Sequence, residues 1–430
     1  MAIFLTFPNG EPADYNTAFN DNVWVWKTTR NTPTVRFKVL ILPPDYPISP
    51  AIGRVTVYPT RANNGVNYQT CFFDPSRFLQ SEIKGEIDIK GANHNAFFVC
   101  NEMHQEYILA LQEEDKNAQG VYENTNLFIT GLKSVWNGVR NELEWLTFDF
   151  TEYTMNNTPS ITKKFLTDSP RTIRIDSDQS YHLYFIANER FGAYQYEIKA
   201  YSGYNATGTL LANGKVDNPI TVADSFDQIY FRIPVGTHDI PNIDPALYTD
   251  TLLGSTPSTA LVGAASYTIQ LEDNTNAQTS ERFTFNVNEK CSRYTPVRVV
   301  WLNRLGGYDA HNFNMKSIHT TDINKDTYEK QHHDWTGFAY IYDTRARGTT
   351  DYNVALNKKV TINTDYLSED ESLWMEDLAT SPDVYIEEDN ELIAVSIDPR
   401  RIQRKTSLND KLMQYTFELN YAIKNRRQRG

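Results

Sequence analysis

The sequence predicts an all-β protein of two to three β-sandwich-like domains with few short helices. Three observations lead there. Apolar side chains recur with period two, the signature of strands with one buried face. Tyr, Phe and Trp number 26, 22 and 7, and aromatic residues fit pleated, half-buried surfaces. Helix start signals are scarce along 430 residues, a length that accommodates two to four domains.

In chain order, Arg36 to Leu42 is the first clear strand. Asp74-Pro75-Ser76 reads as a helix start, with Asp74 as cap and Pro75 at the first position, giving a turn or two through Leu79. Leu132 to Trp145 reads as a short helix. The polar, Pro-containing run NNTPSITKK before Phe165 marks a boundary, so residues 1–160 are expected to form an N-terminal β domain. Strands Tyr181 to Ala187, Tyr194 to Tyr201, Gln228 to Val235, Tyr267 to Leu271 and Arg282 to Val287 follow, separated by turn residues. About seven short strands at this spacing suggest a sandwich of immunoglobulin-like size over 165–290. Within it, Thr237 to Ala260 reads as one long loop, and loops of that length often make contacts.

A third domain is expected over 294–430. It opens with the strand Val297 to Asn303. Leu367 to Leu378 reads as a short helix with a Ser cap and acids in its first turn, bringing Leu373, Trp374 and Leu378 near one face. Val384 to Glu387 pairs naturally with Leu392 to Asp398 across the acidic turn Glu388–Asn390. In the last strand Met413, Tyr415, Phe417, Leu419, Tyr421 and Ile423 point one way, and Gln414, Thr416, Glu418 and Asn420 the other.

Lys plus Arg is 41 and Asp plus Glu is 54, a net charge of −13. Nucleic-acid affinity comes mainly from cations that displace phosphate counterions, so a uniformly acidic chain binds DNA poorly. An acidic wall that DNA slides past without sticking remains compatible with it. Cys71, Cys100 and Cys291 are far apart, odd in number and form no CxxC pair, and are expected to be reduced and buried. The N-terminal MAIFLTFPNGEPADYN lacks the features of a signal peptide, and no apolar run of about 18 residues occurs, so neither export nor membrane spanning is expected.

No constellation calls for catalysis, a cofactor or a metal. His332-His333-Asp334 puts adjacent histidines on opposite faces of a strand, a poor bidentate pair. The acid runs Glu113-Glu114-Asp115, Glu369-Asp370-Glu371 and Glu387-Glu388-Asp389 read as solvated turns rather than the facing carboxylates of a glycosidase. No P-loop, G-x-S-x-G elbow or H-E-x-x-H is present. The basic terminus with Arg426, Arg427 and Arg429, and the cluster Arg400, Arg401, Arg404 and Lys405, contrast with the acidic chain. Opposite-sign patches of this kind steer subunits together, which makes the terminal arginines an interface candidate.

The most distinctive stretch runs from Val297 to Phe313. Trp301, Asn303, Gly306, Gly307, Asp309 and Phe313 fit the pattern W-x-N-x-x-G-G-x-D-x-x-x-F. The segment resembles that motif in virion structural proteins of Bacteroidetes-infecting phages, including crAss-like phages. Turns like Phe73-Asp74-Pro75-Ser76 and a central entry like Phe165-Leu166-Thr167 extend the resemblance loosely along the chain. The residues themselves suggest a structural hairpin. Trp301 is a core anchor, Gly306-Gly307 permit positive φ, Asp309 gathers turn amides, and Phe313 returns to the same core. The resemblance implies a homo-oligomeric ring of the neck or tail between portal and tail, partnered by portal, ring and tail proteins, with genome DNA passing through the lumen. Such a protein is made in the host cytoplasm, resides in the virion, and is not an enzyme. The competing expectation is a tail protein that binds or depolymerises host-surface carbohydrate, with Tyr194, Tyr196, Tyr201 and Tyr204 as a candidate sugar platform.

Overall fold

A computed structural model of the chain describes residues 3–5, 11–30, 32–60, 69–87, 96–141, 147–156, 159–187, 194–220, 229–250, 254–288, 293–331, 333–335, 337–342, 344–345, 348–388, 391–397, 413–423 and 425–426. It is an all-β architecture of several separate sheets, with two α-helices among the described residues. The chain divides into two compact units. The first comprises residues 1–172, 178–287 and 303–308, and the second 173–177, 288–302 and 309–430.

In the first unit, the long strand His104–Lys116 pairs antiparallel with Arg36–Leu42, Lys133–Trp136 and Tyr122–Ile129. Arg36–Leu42 alternates half-buried and buried residues, and Phe37, Val39 and Ile41 enter a core with Trp24, Trp26, Tyr107, Leu109 and Leu111. The Trp24 and Trp26 strand, Trp24–Thr28, pairs with Gln69–Phe73. The helix at Asp74 spans Ser76–Glu82, and the Asp74 carboxylate accepts from Ser76 N at 2.9 Å. Lys133–Trp136 is a strand where the sequence suggests a helix. It pairs on one side with Tyr15–Thr17 and on the other with His104–Lys116, and this two-sided ladder outweighs local preference; residues 142–146 lie outside the described part.

Two further sheets of this unit share an aromatic interior. His182–Ala187 pairs with Ile229–Pro234, while Gln195–Gly203 lies between Thr207–Asp217 and Ser266–Glu272. Phe185 and Phe231 from the first sheet meet Phe97 and Phe165, which in turn touch Tyr196 and Phe283 of the second at 5.5–6.0 Å. The Tyr267 and Tyr196 hydroxyls donate to the carbonyls of Val235 and Pro234, so their buried polar tips are satisfied. The stretch 237–260 is not one irregular loop. It folds into short 3-10 turns at Ile240–Asn242, Pro245–Leu247 and Pro257–Thr259 and the strand Tyr248–Asp250, burying Ile240, Ile243 and Ala260.

The second unit is built on one sheet with the order Tyr308–Phe313, Val297–Leu302, Val384–Glu388, Glu391–Ile397, Thr416–Tyr421, Thr349–Asn363, Ile318–Glu329. The hairpin Val384–Glu388/Glu391–Ile397 forms with Val384 opposite Val395, and Glu388, expected in the turn, is paired opposite Glu391. The helix Glu369–Thr380 starts with Ser368 and Glu371 capping each other reciprocally. Trp374, Met375 and Leu378 are its buried face, whereas Leu373 is exposed. Met413, Tyr415, Phe417 and Leu419 join Val299, Trp301, Phe313, Val360 and Ile362 in the core. Ile423 lies beyond that strand and is exposed.

Candidate assembly surface

The motif around Trp301 divides between two roles. Trp301 is fully buried and its ring lies 5.0 Å from that of Trp374. Phe313 is buried in the same core, edge-on to Phe417. Asn303 holds the turn. The Asn303 carboxamide oxygen accepts from Leu305 N at 2.9 Å and Gly307 N at 3.1 Å, and its NH2 donates to the Leu166 carbonyl at 2.9 Å. Asn303 reaches these amides because it stands at the turn's entry; Asp309 already lies on the departing strand, where its carboxylate accepts from Trp374 Nε1 at 2.7 Å. Gly306 has φ +97°, and a Cβ there would stand 2.0 Å from the Asn137 carbonyl oxygen. A Cβ on Gly307 would stand 2.7 Å from the Leu166 carbonyl oxygen, so the second glycine serves close approach.

The acid run Glu113-Glu114-Asp115 is buried, not a solvated turn. It occupies the long strand opposite Arg36, and alternation sends Glu114 to one face and its neighbours to the other. Glu114 binds Arg36 Nη2 at 2.7 Å and Lys38 Nζ; Asp115 binds Arg30 Nη1 at 3.1 Å; Glu113 accepts from the hydroxyls of Thr28 and Thr125. Burial alone would raise the Glu114 pKa, but Lys38 and Arg36 overcome it and hold the carboxyl below its ordinary value. Glu387 pairs with Arg298 at 3.0 Å, and Glu388 accepts from the Tyr421 hydroxyl. Glu369, Asp370 and Glu371 form the first turn of a helix.

Of the interface candidates, Arg426 sits in a two-residue strand paired with Ala355 and Leu356, while Arg427 and Arg429 lie outside the described residues, as do Arg400, Arg401, Arg404 and Lys405. The described histidine strand His333–Trp335 pairs with Tyr340–Tyr342; the side chains of His332 and His333 are outside the description. Among the described residues no group of three His, Cys, Asp or Glu is placed to hold a metal ion. Cys71 and Cys100 are buried free thiols, and burial pushes the Cys71 thiol up to about 12; Cys291 is outside the described residues. Tyr196 is buried in the aromatic interior and Tyr204 is exposed, so the proposed tyrosine platform is split between interior and surface.

The sequence reading passed over the most exposed element, a ribbon formed by Ile318–Glu329 and Thr349–Asn363. All twelve residues of the first strand are exposed. Twelve extended residues span about 40 Å. Ile318–Glu329 is an edge of its sheet, with Thr349–Asn363 as its sole partner among the described strands. At its base, Val360 and Ile362 are core residues. Stepping by two along the same face leads through Lys358 to Leu356, Val354 and Tyr352, with Ile323 directly opposite Leu356. Tyr328 and Tyr352 are in edge contact at 6.1 Å, beside the register shift after Asp326. Ile323, Tyr328 and Tyr352 are 58%, 46% and 48% exposed. The other face is polar, crossed by Lys359–Asp322 at 3.3 Å and Asn353–Asp326 at 2.8 Å. Near the tip, Phe338 is fully exposed after Gly337 at φ +91°. The sequence signal for the ribbon is a pair of stretches rich in Thr, Asn and β-branched Ile or Val flanking Gly337-Phe338, largely masked by Lys and Asp.

An open cleft of about 530 Å³ in the first unit is lined by Pro43, Pro44, Pro50, Asp45, Glu82, His104 and Glu106. The His104 ring stacks on Tyr230 at 4.5 Å, and burial holds its pKa below the ordinary value. Compared with protein-family models and with curated proteins, the chain matches none. Among the described residues no helix is long and apolar enough to cross a membrane, which leaves β-barrel crossing unaddressed.

Proposed function

We propose that the chain is a non-enzymatic structural subunit of a bacteriophage virion, most simply a member of a homo-oligomeric ring of the neck or tail that connects portal to tail. The carrying observation is the ribbon: a twelve-residue edge strand, exposed throughout, whose sheet continues the core's apolar face past the core. Among the described residues the ribbon is two-stranded only over Thr349–Val354, beyond its pairing with Asn425–Arg426; a two-stranded ribbon is marginally stable in water, and exposed strand edges are ready templates for pairing with another chain. A ribbon of this kind is explained when a neighbour covers it. The resemblance of the Trp301–Phe313 segment to phage virion proteins supplies the biological setting, and the buried role of Trp301, Asn303, Gly306 and Phe313 supports reading that segment as architecture.

Particles purified from infected cells test this reading. The chain should be present in them at a fixed, multiple copy number; its presence in lysate but absence from particles would refute it. The cleft lined by Asp45, Glu82 and Glu106 favours one second reading, a tail protein that binds or cleaves host-surface carbohydrate. Binding of the isolated chain to host capsule, lost in Glu106→Gln, would shift the balance to it.

A further inference from the structure

We propose that the side chains of Lys215 and Asn276 join in an intramolecular amide bond, which the protein forms by itself with Glu272 as the base. This chemistry is separate from the assembly reading. Period two sets up the site. Tyr196, Val216 and Leu271 are fully buried towards the aromatic interior. Their chain neighbours Gln195, Lys215 and Glu272, on three adjacent strands of the first unit, therefore share the opposite face. Gln195 stands directly opposite Glu272 on the central strand. The turn after Glu272 brings in the fourth group. The Asp273 carboxylate accepts from Thr275 N at 2.8 Å and Ala277 N at 2.9 Å, and Asp273 N donates to the Ala277 carbonyl. Asn276 takes φ +63° in that turn, a conformation asparagine adopts more readily than most residues.

A nucleophile, a base, an electrophile and a polarising donor converge there. Lys215 Nζ donates to Glu272 Oε2 at 2.7 Å and to Asn276 Oδ1 at 3.3 Å. Gln195 Nε2 donates to the same two oxygens, each at 2.6 Å. Glu272 and Gln195 are 3% and 4% exposed, so water is kept from the base and from the amide donor, while Asn276 on its exposed turn leaves a path for ammonia to depart. An ion pair accounts for Lys215 and Glu272; it does not account for two donors placed on one carboxamide oxygen. A carbonyl bond is about 1.2 Å long, so Cγ lies one side-chain rotation from the amine, and reactants held in contact need no encounter step. Glu272 takes a proton from the Lys215 ammonium, and the freed lone pair attacks Asn276 Cγ. The Nζ–Cγ bond forms and the carbonyl π pair moves onto Oδ1, where the Gln195 N–H stabilises the developing charge. On collapse the Cγ–Nδ2 bond breaks. Nδ2 leaves as ammonium with the two protons that Nζ gives up, one of them through Glu272, which returns to carboxylate. One amide replaces another, so the step balances without an oxidant, a nucleotide or any other co-reactant.

Mass spectrometry of the full 49.5 kDa chain, purified and held at neutral pH, tests the bond. With the initiator methionine accounted for, the wild type should be lighter than its sequence by one ammonia. Trypsin should release a branched peptide in which Ala200–Arg232, uncut at Lys215, is joined to Ile233–Arg282. Cyclisation of an asparagine onto its own backbone also sheds ammonia, but it leaves the two peptides separate and Lys215 open to cleavage. Lys215→Met and Glu272→Gln should lack the branched peptide. Lys199→Met should retain it, because the Lys199 amine pairs with Glu197 at 2.6 Å and takes no part in the reaction. A wild-type mass equal to that of the sequence, or ammonia loss without the branched peptide, would overturn the proposal. A branched peptide that persists in Glu272→Gln would overturn Glu272 as the base.

Discussion

Trp301→Ala removes the largest side chain of the second unit's motif from a fully buried position. Burying a tryptophan removes roughly 150–250 Å² from water, which at about 25 cal/mol per Å² stabilises by ~4–6 kcal/mol. The contact with Trp374 at 5.0 Å contributes about 1 kcal/mol more. Against this, the buried Trp301 Nε1 has no hydrogen-bond partner among the described residues, which costs ~1–3 kcal/mol. The net loss on truncation is then near ~4 kcal/mol, inside the usual range for a buried aromatic replaced by alanine. Trp301→Phe separates the two effects: it keeps most of the apolar area and deletes the unpartnered N–H, so its loss should stay below about 2 kcal/mol. Guanidinium unfolding followed by near-ultraviolet circular dichroism reads both. An alanine variant within ~1 kcal/mol of the wild type, or a phenylalanine variant as damaged as the alanine one, refutes the placement of Trp301 as the core anchor.

Gly306→Ala should cost more than ~2 kcal/mol, since a positive φ and a clash with the Asn137 carbonyl act together; Gly337→Ala, at positive φ but with open space around it, should cost only about 1 kcal/mol, and melting temperatures rank the two. Burial among Phe313 and Trp374 lowers the His311 pKa from 6.5 to about 4. The unfolded chain therefore binds the extra proton first, and the second unit should lose stability as pH falls from about 6.5 towards 4, by at most ~3 kcal/mol; His311→Phe should flatten that part of the pH–melting profile. Glu114 is held below its ordinary value by Lys38 and Arg36 after burial opposes it, so its contribution is present above the ordinary carboxylate pKa and lost at more acid pH; Glu114→Gln should lower the melting temperature at neutral pH and reduce the difference from wild type in acid.

Local pattern carried much of the fold. The Ser368 cap, the hairpin Val384–Glu388/Glu391–Ile397 and the alternation from Met413 to Leu419 are written in adjacent residues and form there; the helix after Asp74 also forms, but it begins at Ser76 with Pro75 in the cap position. Features that depend on distant partners were not legible. Lys133–Trp136 becomes a strand because two other strands bracket it. Glu113, Glu114 and Asp115 are buried because Arg30, Arg36 and Lys38 arrive from segments some 80 residues away. Asn303 gathers the amides of Leu305 and Gly307 because it stands before the turn, a positional role that composition does not record.

The ribbon shows why period two cannot by itself separate interior from interface. Thr349–Asn363 is one strand with two environments: Val360 and Ile362 are covered by the core of their own unit, while Leu356, Val354 and Tyr352 continue the same face where that core has ended. Alternation specifies which side of a strand seeks burial, not which molecule provides it. A chain that needed only its own core would gain little from extending this face along twelve exposed partner residues, since a lone ribbon adds solvent-exposed backbone and aliphatic surface at once. Extension becomes favourable when the missing cover is another chain. For that reason the ribbon's part in assembly stands or falls on Ile323, Tyr328 and Tyr352: if lysines at all three leave particle incorporation and self-association at wild-type levels, the ribbon's apolar face is not what a neighbour covers, and assembly must run through another surface.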